Sequence, residues 1–348
     1  MFYGVFVKNF FESMKVQGAE IEKVVIYGRG VGVFDKALKY LRYFNASFRA
    51  IYRDDYDVIY VHSASLALLP VTFFKIFIKK PVVVNIHGGD VMDSAPFNRI
   101  IFNINSKLIR GADLLVIPSY NFEATVLKTI KPNETFVSPS GGVDRGIFKP
   151  LVEKQCKAET LHIGYISRID PEKGWDTFLT ALFYLRNTMP SIKIGATLVG
   201  TGSENHEMFS MIAAYGLEKD ITYIEQLPQD ELPSVYSRFD LFVFPSRRQS
   251  ESLGLVGIEA MSCGVPVIAS RIAGIQDYIE HGVNGFVFQP GDAENLCDMV
   301  CHYLSLTSKE KKELIIGAIA TAERYDSIKT SSELFFRIAR TISDKKYV

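Results

Sequence analysis

Cysteine is scarce in this chain of 348 residues, and none of its four cysteines forms a CxxC pair. Disulfide frameworks and most zinc modules require closely spaced cysteines, so neither class is indicated. Cys297, Cys301 and His302 occur at helical spacing, but a zinc site normally needs a further ligand from elsewhere. We therefore expect these cysteines to be buried and unliganded, with no metal site and a reduced, cytoplasmic protein.

Excess charge and long apolar runs are also absent. Lys+Arg and Asp+Glu both number 39, so no overall field draws the chain to nucleic acid or to an anionic bilayer. No apolar run reaches the roughly 18 to 20 residues that span a bilayer, and no secretory signal is recognisable. We expect a cytoplasmic protein, either free or peripheral at the inner face of the plasma membrane, without a nucleic-acid partner.

One segment, residues 66–86, is more apolar than the rest, although Pro70, Lys75 and Pro81 interrupt it. Its first half predicts a helix with an exposed Phe/Lys face, and its second half predicts a buried strand. Two interpretations of that face stay open. It contacts a membrane surface, or it is buried beside a sheet, as amphipathic helices commonly are.

Short β-branched runs alternate with amphipathic helical stretches along the whole chain. Continuous apolar runs of this kind are typical of parallel strands that helices cover on both faces. The runs are VVIY, DVIYVH, PVVVNI, DLLVIPS and TFVSPS, followed by LHIGYI, KIGATLVG, ITYIEQ, LFVFPS, VPVIAS and GFVFQ. The sequence thus predicts an α/β protein with two doubly wound parallel sheets.

The chain is longer than one hydrophobic core usually supports, which favours two domains. The polar segment KPLVEKQCKAET, residues 149–160, has no clear period and is typical of a linker. We place an N-terminal domain at residues 1–152, a C-terminal domain at 153–325, and a helix at 326–348 that packs back on the first domain. The binding cleft is expected between the two domains.

The densest functional signal is ESLGLVGIEAMSCGVPVIAS, residues 251–270, which follows a predicted strand. A helix is predicted from near Gly254 to Gly264, where Pro266 prevents its continuation. A helix N-terminus at the carboxyl ends of parallel strands favours phosphate. Glu259 on this helix can accept hydrogen bonds from both hydroxyls of a ribose, and Glu251 lies in the preceding loop. The alternative is a pair of solvated surface glutamates.

Two other glycine-containing segments fit nucleotide-binding motifs less well. LVGTGSE, with Gly200 and Gly202, lacks the GK[ST] ending of a Walker loop, which argues against an ATPase. YGRGVGVF has G-x-G-x-G spacing and misses the dinucleotide fingerprint, which argues against NAD as a cofactor. No DXD-like motif follows a plausible donor strand, so a catalytic metal is not expected.

The motif ESLGLVGIE, followed by AMSCGVPVIAS, AGIQDYIEHGVNGFVF and PGD, resembles the retaining glycosyltransferases of family 4. The resemblance extends to GYISRIDPEKGWDTFLTAL, LVGTGSE, LPSVYSRFDLFVFPS and PSGGVDRGIFKP, and in the first domain to NIHGGD and GADLLVIPS. It covers nearly the whole chain from about Tyr56 and is strongest in the second domain. It implies the GT-B fold, with two Rossmann-like domains that face a central cleft.

The resemblance implies a role for each matching position. Arg168 and Lys173 would grip the donor pyrophosphate, and two cations opposite a helix N-terminus suit a leaving diphosphate. Gly200 and Gly202 would form a wall of the nucleotide pocket. The other implied contacts are Gly254, Leu255 and Val256 with phosphate, Glu259 with the ribose, Glu251 with the donor sugar, and His87, beside Gly88, Gly89 and Asp90, with the transferred sugar.

The sequence departs from the family pattern at two places. Ser167 stands where the family usually has a glycine before the pyrophosphate-binding arginine. The family also opens with a strand and a glycine-rich loop, whereas this chain begins at what resembles the end of that loop, GVFVKNFFESM. We therefore expect a first domain without the family's first strand and loop.

The resemblance implies a retaining, metal-independent hexosyltransferase that needs no cofactor. It would move a sugar from a UDP- or GDP-sugar to a hydroxyl of a saccharide or lipid-linked saccharide, in bacterial cell-surface polysaccharide or glycolipid synthesis. Two alternatives stay open. One is a sugar phosphorylase or nucleotide-sugar epimerase of the same fold, and the other is a non-catalytic partner protein. The sequence does not indicate an oligomeric state.

Overall fold

The computed structural model describes residues 5–26, 28, 32–92, 96–151 and 160–346. The chain divides into two compact units, the first made of Met1–Gly142 with Ser327–Val348 and the second of Val143–Asp326. Residues 143–151, which the sequence assigns to the first domain, thus lie in the second unit. Phe148 explains this placement, because its side chain is buried and its carbonyl accepts a hydrogen bond from Ser262 Oγ at 2.6 Å.

The first unit contains a parallel four-stranded sheet in the order β1-β2-β3-β4. The central strands β2 and β3 are fully buried, as their unbroken apolar sequences predict. The strands are β1 (Ile59–His62), β2 (Val82–Asn85), β3 (Leu114–Ile117) and β4 (Thr135–Val137). The helices of this part of the chain are α1 (Val5–Val16), α2 (Gly32–Arg53), α3 (Leu69–Phe73), α4 (Gly88–Met92), α5 (Pro96–Arg110) and α6 (Tyr120–Thr129), with 3-10 turns at Leu66–Leu68 and Lys75–Phe77.

The predicted strand VVIY, residues 24–27, is wrong for residues 24–26, which are not in a strand, and Tyr27 lies outside the described residues. Val25 is exposed, so this run is not buried between helices as a central strand would be. A β-branched composition favours a strand only where a neighbouring strand and a covering layer are available. The first strand of the described sheet is instead DVIYVH, which contains β1.

The second unit contains a parallel six-stranded sheet in the order β10-β9-β8-β5-β6-β7, and every strand predicted for it is confirmed. The strands are β5 (Thr160–Ile166), β6 (Lys193–Val199), β7 (Ile221–Ile224), β8 (Leu241–Phe244), β9 (Val267–Ser270) and β10 (Gly285–Phe288). The helices are α7 (Trp175–Thr188), α8 (Asn205–Ala214), α9 (Leu232–Tyr236), α10 (Leu255–Ser262), α11 (Ala293–Ser305) and α12 (Ser308–Glu323), with a 3-10 turn at Ala273–Asp277.

Helices cover both faces of this sheet, and β8 shows how the two cores are separated. Leu241 and Val243 pack into one cluster, with α7 and α11. Phe242 and Phe244 pack into the other cluster, with α10 and α12. Because successive side chains of a strand point to opposite faces, the run LFVF supplies both cores.

The last helix, α13 (Ser327–Lys346), follows the second unit in sequence but packs on the first. Leu334 is 3% exposed and clusters with Met14, Val83 and Leu114. Near the end of the helix, Lys345 Nζ lies 2.7 Å from Asp113 Oδ1. The helix therefore contributes both apolar burial and an ion pair to the first unit.

None of the helices in the described ranges combines the length and the apolar composition that crossing a bilayer requires. The segment 66–77, whose Phe/Lys face the sequence predicts, forms short helical turns rather than one continuous helix. Phe73, Ile76 and Phe77 in these turns are exposed. Of the two interpretations of this face, the structure thus rules out burial beside the sheet for these three side chains.

Leu334→Ala should destabilise the first unit, because it leaves a cavity between α13 and β2. We expect a loss of about 2 to 5 kcal/mol in the free energy of unfolding, measured with urea. Phe336→Ala is the matched control, since Phe336 lies on the same helix and is 67% exposed. Equal losses in the two variants would show that α13 does not pack as described.

Candidate functional site

The carboxyl edge of the six-stranded sheet brings the predicted donor-binding residues of the second unit together. Strand β5 lies between β6 and β8, so the strand order reverses at β5. Parallel α/β sheets bind ligands at such a switch point, beyond the carboxyl ends of the strands. Arg168 and Lys173 follow β5, Gly200 and Gly202 follow β6, and Glu251 follows β8. Residues distant in sequence thus meet at one edge because all strands run parallel.

Lys173 and Glu251 form an ion pair at this edge. Lys173 Nζ lies 2.7 Å from Glu251 Oε2, and the two side chains are only 11% and 14% exposed. Ser246 Oγ donates a second hydrogen bond, of 3.1 Å, to the same carboxylate oxygen. An ammonium group has three donors, so Lys173 can hold Glu251 and still donate to an anionic ligand.

Arg168 forms an ion pair with Asp170 within the same loop. Burial raises the pKa of Asp170, but hydrogen bonds from Ser203 and the nearby guanidinium outweigh this effect, so the pKa is lowered overall. The Arg168 side chain is nevertheless 43% exposed. Its planar group therefore has donors available to a ligand as well as to Asp170.

Gly200 and Gly202 serve mainly to position the Arg168 loop. A Cβ atom on Gly200 would lie 1.8 Å from the carbonyl oxygen of Ser167, and one on Gly202 would lie 2.1 Å from that of Ile169. The backbone of the two loops is also joined by a hydrogen bond from Ile169 N to Thr201 O, of 3.3 Å. Gly200 and Gly202, which the sequence predicts as a wall of the nucleotide pocket, therefore also hold the Arg168 loop in place.

The N-terminus of α10 carries the predicted phosphate contacts. Gly254 precedes the helix with φ 81°, and Leu255 and Val256 form its first turn. The hydroxyl of Tyr278 donates a hydrogen bond of 3.0 Å to the carbonyl of Gly254, which fixes the start of the helix. Amides in a first helical turn have no intrahelical acceptor, so those of Leu255 and Val256 suit an anion.

Glu259, the fifth residue of α10, is buried. Tyr236 Oη donates a hydrogen bond of 3.2 Å to Glu259 Oε2. Burial raises the pKa of Glu259 to about 7, although hydrogen bonds from Tyr236 and Gln229 favour the carboxylate and partly offset this effect. Glu259 is therefore a carboxyl that changes charge near neutral pH, and it is not the solvated surface group that the sequence left as the alternative.

His87 lies in the first unit, two residues beyond the end of β2. Asp90 Oδ2 accepts hydrogen bonds from the amides of His87, at 2.9 Å, and Ala64, at 3.0 Å, and Oδ1 accepts one from Ser63 Oγ. Asp90 thus holds the ends of β1 and β2 together. The ring of His87 is parallel to that of His62, and burial lowers the pKa of both, to about 3 for His62. Both imidazoles are therefore neutral near pH 7.

The structure adds residues to the site that sequence reasoning missed. Arg247 Nη1 lies 2.8 Å from Asp176 Oδ2, and Ser246 supports Glu251 as described above. Arg248 donates its amide to Ser246 Oγ at 3.3 Å. The sequence does contain a signal for these residues, because SRR, residues 246–248, lies one residue beyond strand β8. Tyr236 lies far from Glu259 in sequence, and no local pattern indicates that contact.

Comparison with known proteins identifies the family that the second unit resembles. Residues 152–320 match the family Glycosyl transferases group 1. A D-inositol 3-phosphate glycosyltransferase from Arthrobacter sp. (strain FB24) is 30% identical over 167 residues, which are 46% of this chain and 39% of that protein. The match thus spans about two-fifths of the length of this curated relative. The resemblance to group 1 glycosyl transferases is confirmed.

Solved structures show the fold of the chain. Sucrose-phosphate synthase from Thermosynechococcus elongatus is 19% identical with a TM-score of 0.79, and the match covers 98% of this chain and 93% of that one. HepE from Anabaena in complex with UDP is 24% identical with a TM-score of 0.72, and the match covers 88% and 84%. The predicted class, two parallel-sheet Rossmann-like domains of the GT-B type, is confirmed.

Gly200→Ala should destabilise the second unit, because the new methyl group meets the Ser167 carbonyl. Gly282→Ala is the matched control, since Gly282 also has a positive φ but no atom within 4 Å of its Cβ position. We expect Gly200→Ala to lower the free energy of unfolding by about 2 kcal/mol more than the control, measured with urea. Equal effects would contradict the close approach of the two loops.

The raised pKa of Glu259 predicts a pH dependence of stability. The folded protein binds this proton more tightly than the unfolded chain, whose carboxyl has the ordinary value of 4.5. Stability contributed by the group is therefore present at low pH and falls as the pH rises from about 4.5 to about 7, by about 3 kcal/mol in total.

Glu259→Gln removes this titration. The difference in free energy of unfolding between the native chain and the variant should fall by that amount over the same pH range. Glu207→Gln, at an exposed position, is the control and should show no such change. A native chain that parallels the Gln variant at every pH would show that Glu259 titrates normally.

Proposed function

We propose that this chain is a retaining glycosyltransferase that moves a sugar from a UDP- or GDP-sugar to an acceptor hydroxyl. The observation that supports it most is the meeting of Arg168, Lys173 and the N-terminus of α10 at one sheet edge. These cationic and amide groups suit a diphosphate, and they lie within the segment that matches the glycosyl transferase family.

The leaving nucleoside diphosphate gains negative charge as the glycosidic bond breaks. Arg168, Lys173 and the amides of Leu255 and Val256 would stabilise that charge, and they need little reorganisation because existing contacts already hold them. The side-chain cations would neutralise the charge of the diphosphate, which a divalent metal does in metal-dependent enzymes. We therefore propose a reaction that is independent of metal and of any cofactor.

Glu259 is proposed to bind the donor ribose. A carboxylate can accept hydrogen bonds from two neighbouring hydroxyls, whereas a protonated carboxyl loses part of that capacity. Since the pKa of Glu259 is about 7, the binding-competent anion forms as the pH rises through neutrality. Nucleotide affinity should therefore be greater above pH 7 than below it.

Retention would follow from attack on the face that the diphosphate leaves, as the family resemblance implies. The acceptor oxygen forms a bond to the anomeric carbon, the bond to the diphosphate breaks, and the departing phosphate takes the acceptor's proton. Glu251 already accepts hydrogen bonds from Lys173 and Ser246, which suits a carboxylate that orients a sugar hydroxyl. The contact of His87 with the transferred sugar stays a prediction.

The acceptor is proposed to be a saccharide or lipid-linked saccharide, in the synthesis of a bacterial surface polysaccharide or glycolipid. The relative from Arthrobacter is named for glycosyl transfer to D-inositol 3-phosphate, and the HepE structure contains UDP. These names support a nucleotide-sugar donor and make UDP the first nucleotide to test.

Calorimetry with UDP, GDP and ADP tests the proposed donor site. One nucleotide should bind best, and Arg168→Ala with Lys173→Ala should weaken it by about 100-fold, since each substitution removes a charge-assisted hydrogen bond. Glu259→Ala should also weaken binding and abolish the difference between measurements below and above pH 7. Chelation by EDTA should leave affinity unchanged.

Lys193→Ala with Lys219→Ala is the control for the loss of two charges, since both residues are exposed and outside the site. Equal binding by the control and the Arg168, Lys173 double variant would exclude the assigned site. Nucleotide binding without release of sugar from any UDP- or GDP-sugar, with or without acceptors, would favour the non-catalytic partner protein. Turnover that requires inorganic phosphate would favour a phosphorylase.

A further inference from the structure

The first unit exposes apolar side chains on a layer of helices made of α2, the segment 66–77 and α5. We refer to this set as the helical layer. Its inward side chains, such as Ile51, Val71 and Ile109, are buried in the core of the unit. Its outward apolar side chains have no part in that core, so folding alone does not account for them.

Helix α2 shows the arrangement most clearly. Phe34, Leu38, Leu41 and Tyr52 are all exposed, and Phe34 is 93% exposed. Their spacing places them on one face of an α-helix. Ser47 and Ile51, which are buried, lie on a different face. The apolar side chains on the exposed face of α2 are therefore directed away from the side that Ser47 and Ile51 bury.

Phe44 and Phe48 of α2, which are half-buried, contact the segment 66–77. The rings of Phe44 and Phe73 are 6.0 Å apart, and those of Phe48 and Phe77 are 6.2 Å apart. Ile76, between Phe73 and Phe77 in sequence, is 85% exposed. These half-buried rings thus link α2 to the exposed side chains Phe73, Ile76 and Phe77.

Helix α5 extends the layer on the other side of α3. Thr72 Oγ1 donates a hydrogen bond of 2.7 Å to Asn105 Oδ1, which fixes the two helices against each other. Phe97, Ile100 and Ile104 are exposed and share one face of α5 at i, i+3 and i+7 spacing. Helix α5 therefore carries a second strip of exposed apolar side chains, in addition to the one on α2.

The charge of the layer is strongly asymmetric, although the whole chain has as many acidic as basic residues. Asp35 is the only acidic residue in the segments 32–53, 66–77 and 96–110 that form the layer. It lies 3.3 Å from Lys39, one of the many basic residues there. The basic residues are Lys36, Lys39, Arg42, Arg49, Arg53, Lys75, Arg99, Lys107 and Arg110. Of these, Arg53 forms ion pairs with Glu22 and Asp55 outside the layer.

We propose that the helical layer is a docking surface for an anionic lipid bilayer. Exposed aromatic and aliphatic side chains insert at the headgroup level, and the surrounding Lys and Arg side chains bind the anionic headgroups. A second copy of the chain fits the same surface less well, because it would bring the basic side chains of two layers together. The proposal is independent of the donor site.

Flotation with vesicles tests the proposal without donor or turnover. The full chain should bind vesicles of phosphatidylcholine with phosphatidylglycerol, bind phosphatidylcholine alone weakly, and dissociate as salt concentration rises. The apolar variant Phe34→Ser, Leu41→Ser, Ile76→Ser and the charge variant Lys36→Gln, Arg42→Gln, Arg49→Gln should each bind roughly 100-fold more weakly. All six positions are exposed, so circular dichroism should show folded proteins.

Matched controls come from exposed positions of the second unit. Val283→Ser with Ile316→Ser, and Lys193→Gln with Lys219→Gln and Lys312→Gln, should bind as the native chain does. Equal losses in the controls would show a non-specific effect and overturn the proposal. Unchanged vesicle binding by both layer variants would also overturn it, as would sedimentation showing that the apolar variant converts an oligomer to a monomer while lipid binding is unchanged.

Discussion

The position of β5 between β6 and β8 is the constraint on which the candidate site depends. All six strands of that sheet run parallel, so the loops after β5, β6 and β8 must lie at the same edge. Gly200 permits the loop after β6 to contact the backbone at Ser167, and this contact supports Arg168. The cations and the amides of α10 therefore meet through backbone packing in the sheet, and not through any local sequence motif.

Burial determines the chemistry of the charged groups at that edge. The side chains of Lys173 and Glu251 are mostly buried, and each neutralises the charge of the other. Glu259 instead accepts a hydrogen bond from the neutral Tyr236 hydroxyl, and burial raises its pKa to about 7. The two glutamates are only eight residues apart in the sequence. Their different surroundings make one a partner of a cation and the other a group that responds to neutral pH.

Several parts of the structure could be predicted because their signals are local. The six strands of the second unit are short apolar runs, and α10 has a glycine before its start and another after its end. VVIY has a similar composition, yet residues 24–26 are not in a strand. Strand formation requires a neighbouring strand and a covering layer, and composition does not report either one. The same limit explains why the outward faces of α2 and α5 could not be distinguished from core faces.

The sequence by itself determined the α/β class, the strands of the second sheet and the residue types of the candidate site, because these depend on periodicity, on glycine and on motif order. Only the tertiary structure decided that Glu251 pairs with Lys173 and that Tyr236 contacts Glu259. The reason is physical. Contacts between residues far apart in sequence depend on strand order and burial, which no short stretch of the chain encodes alone.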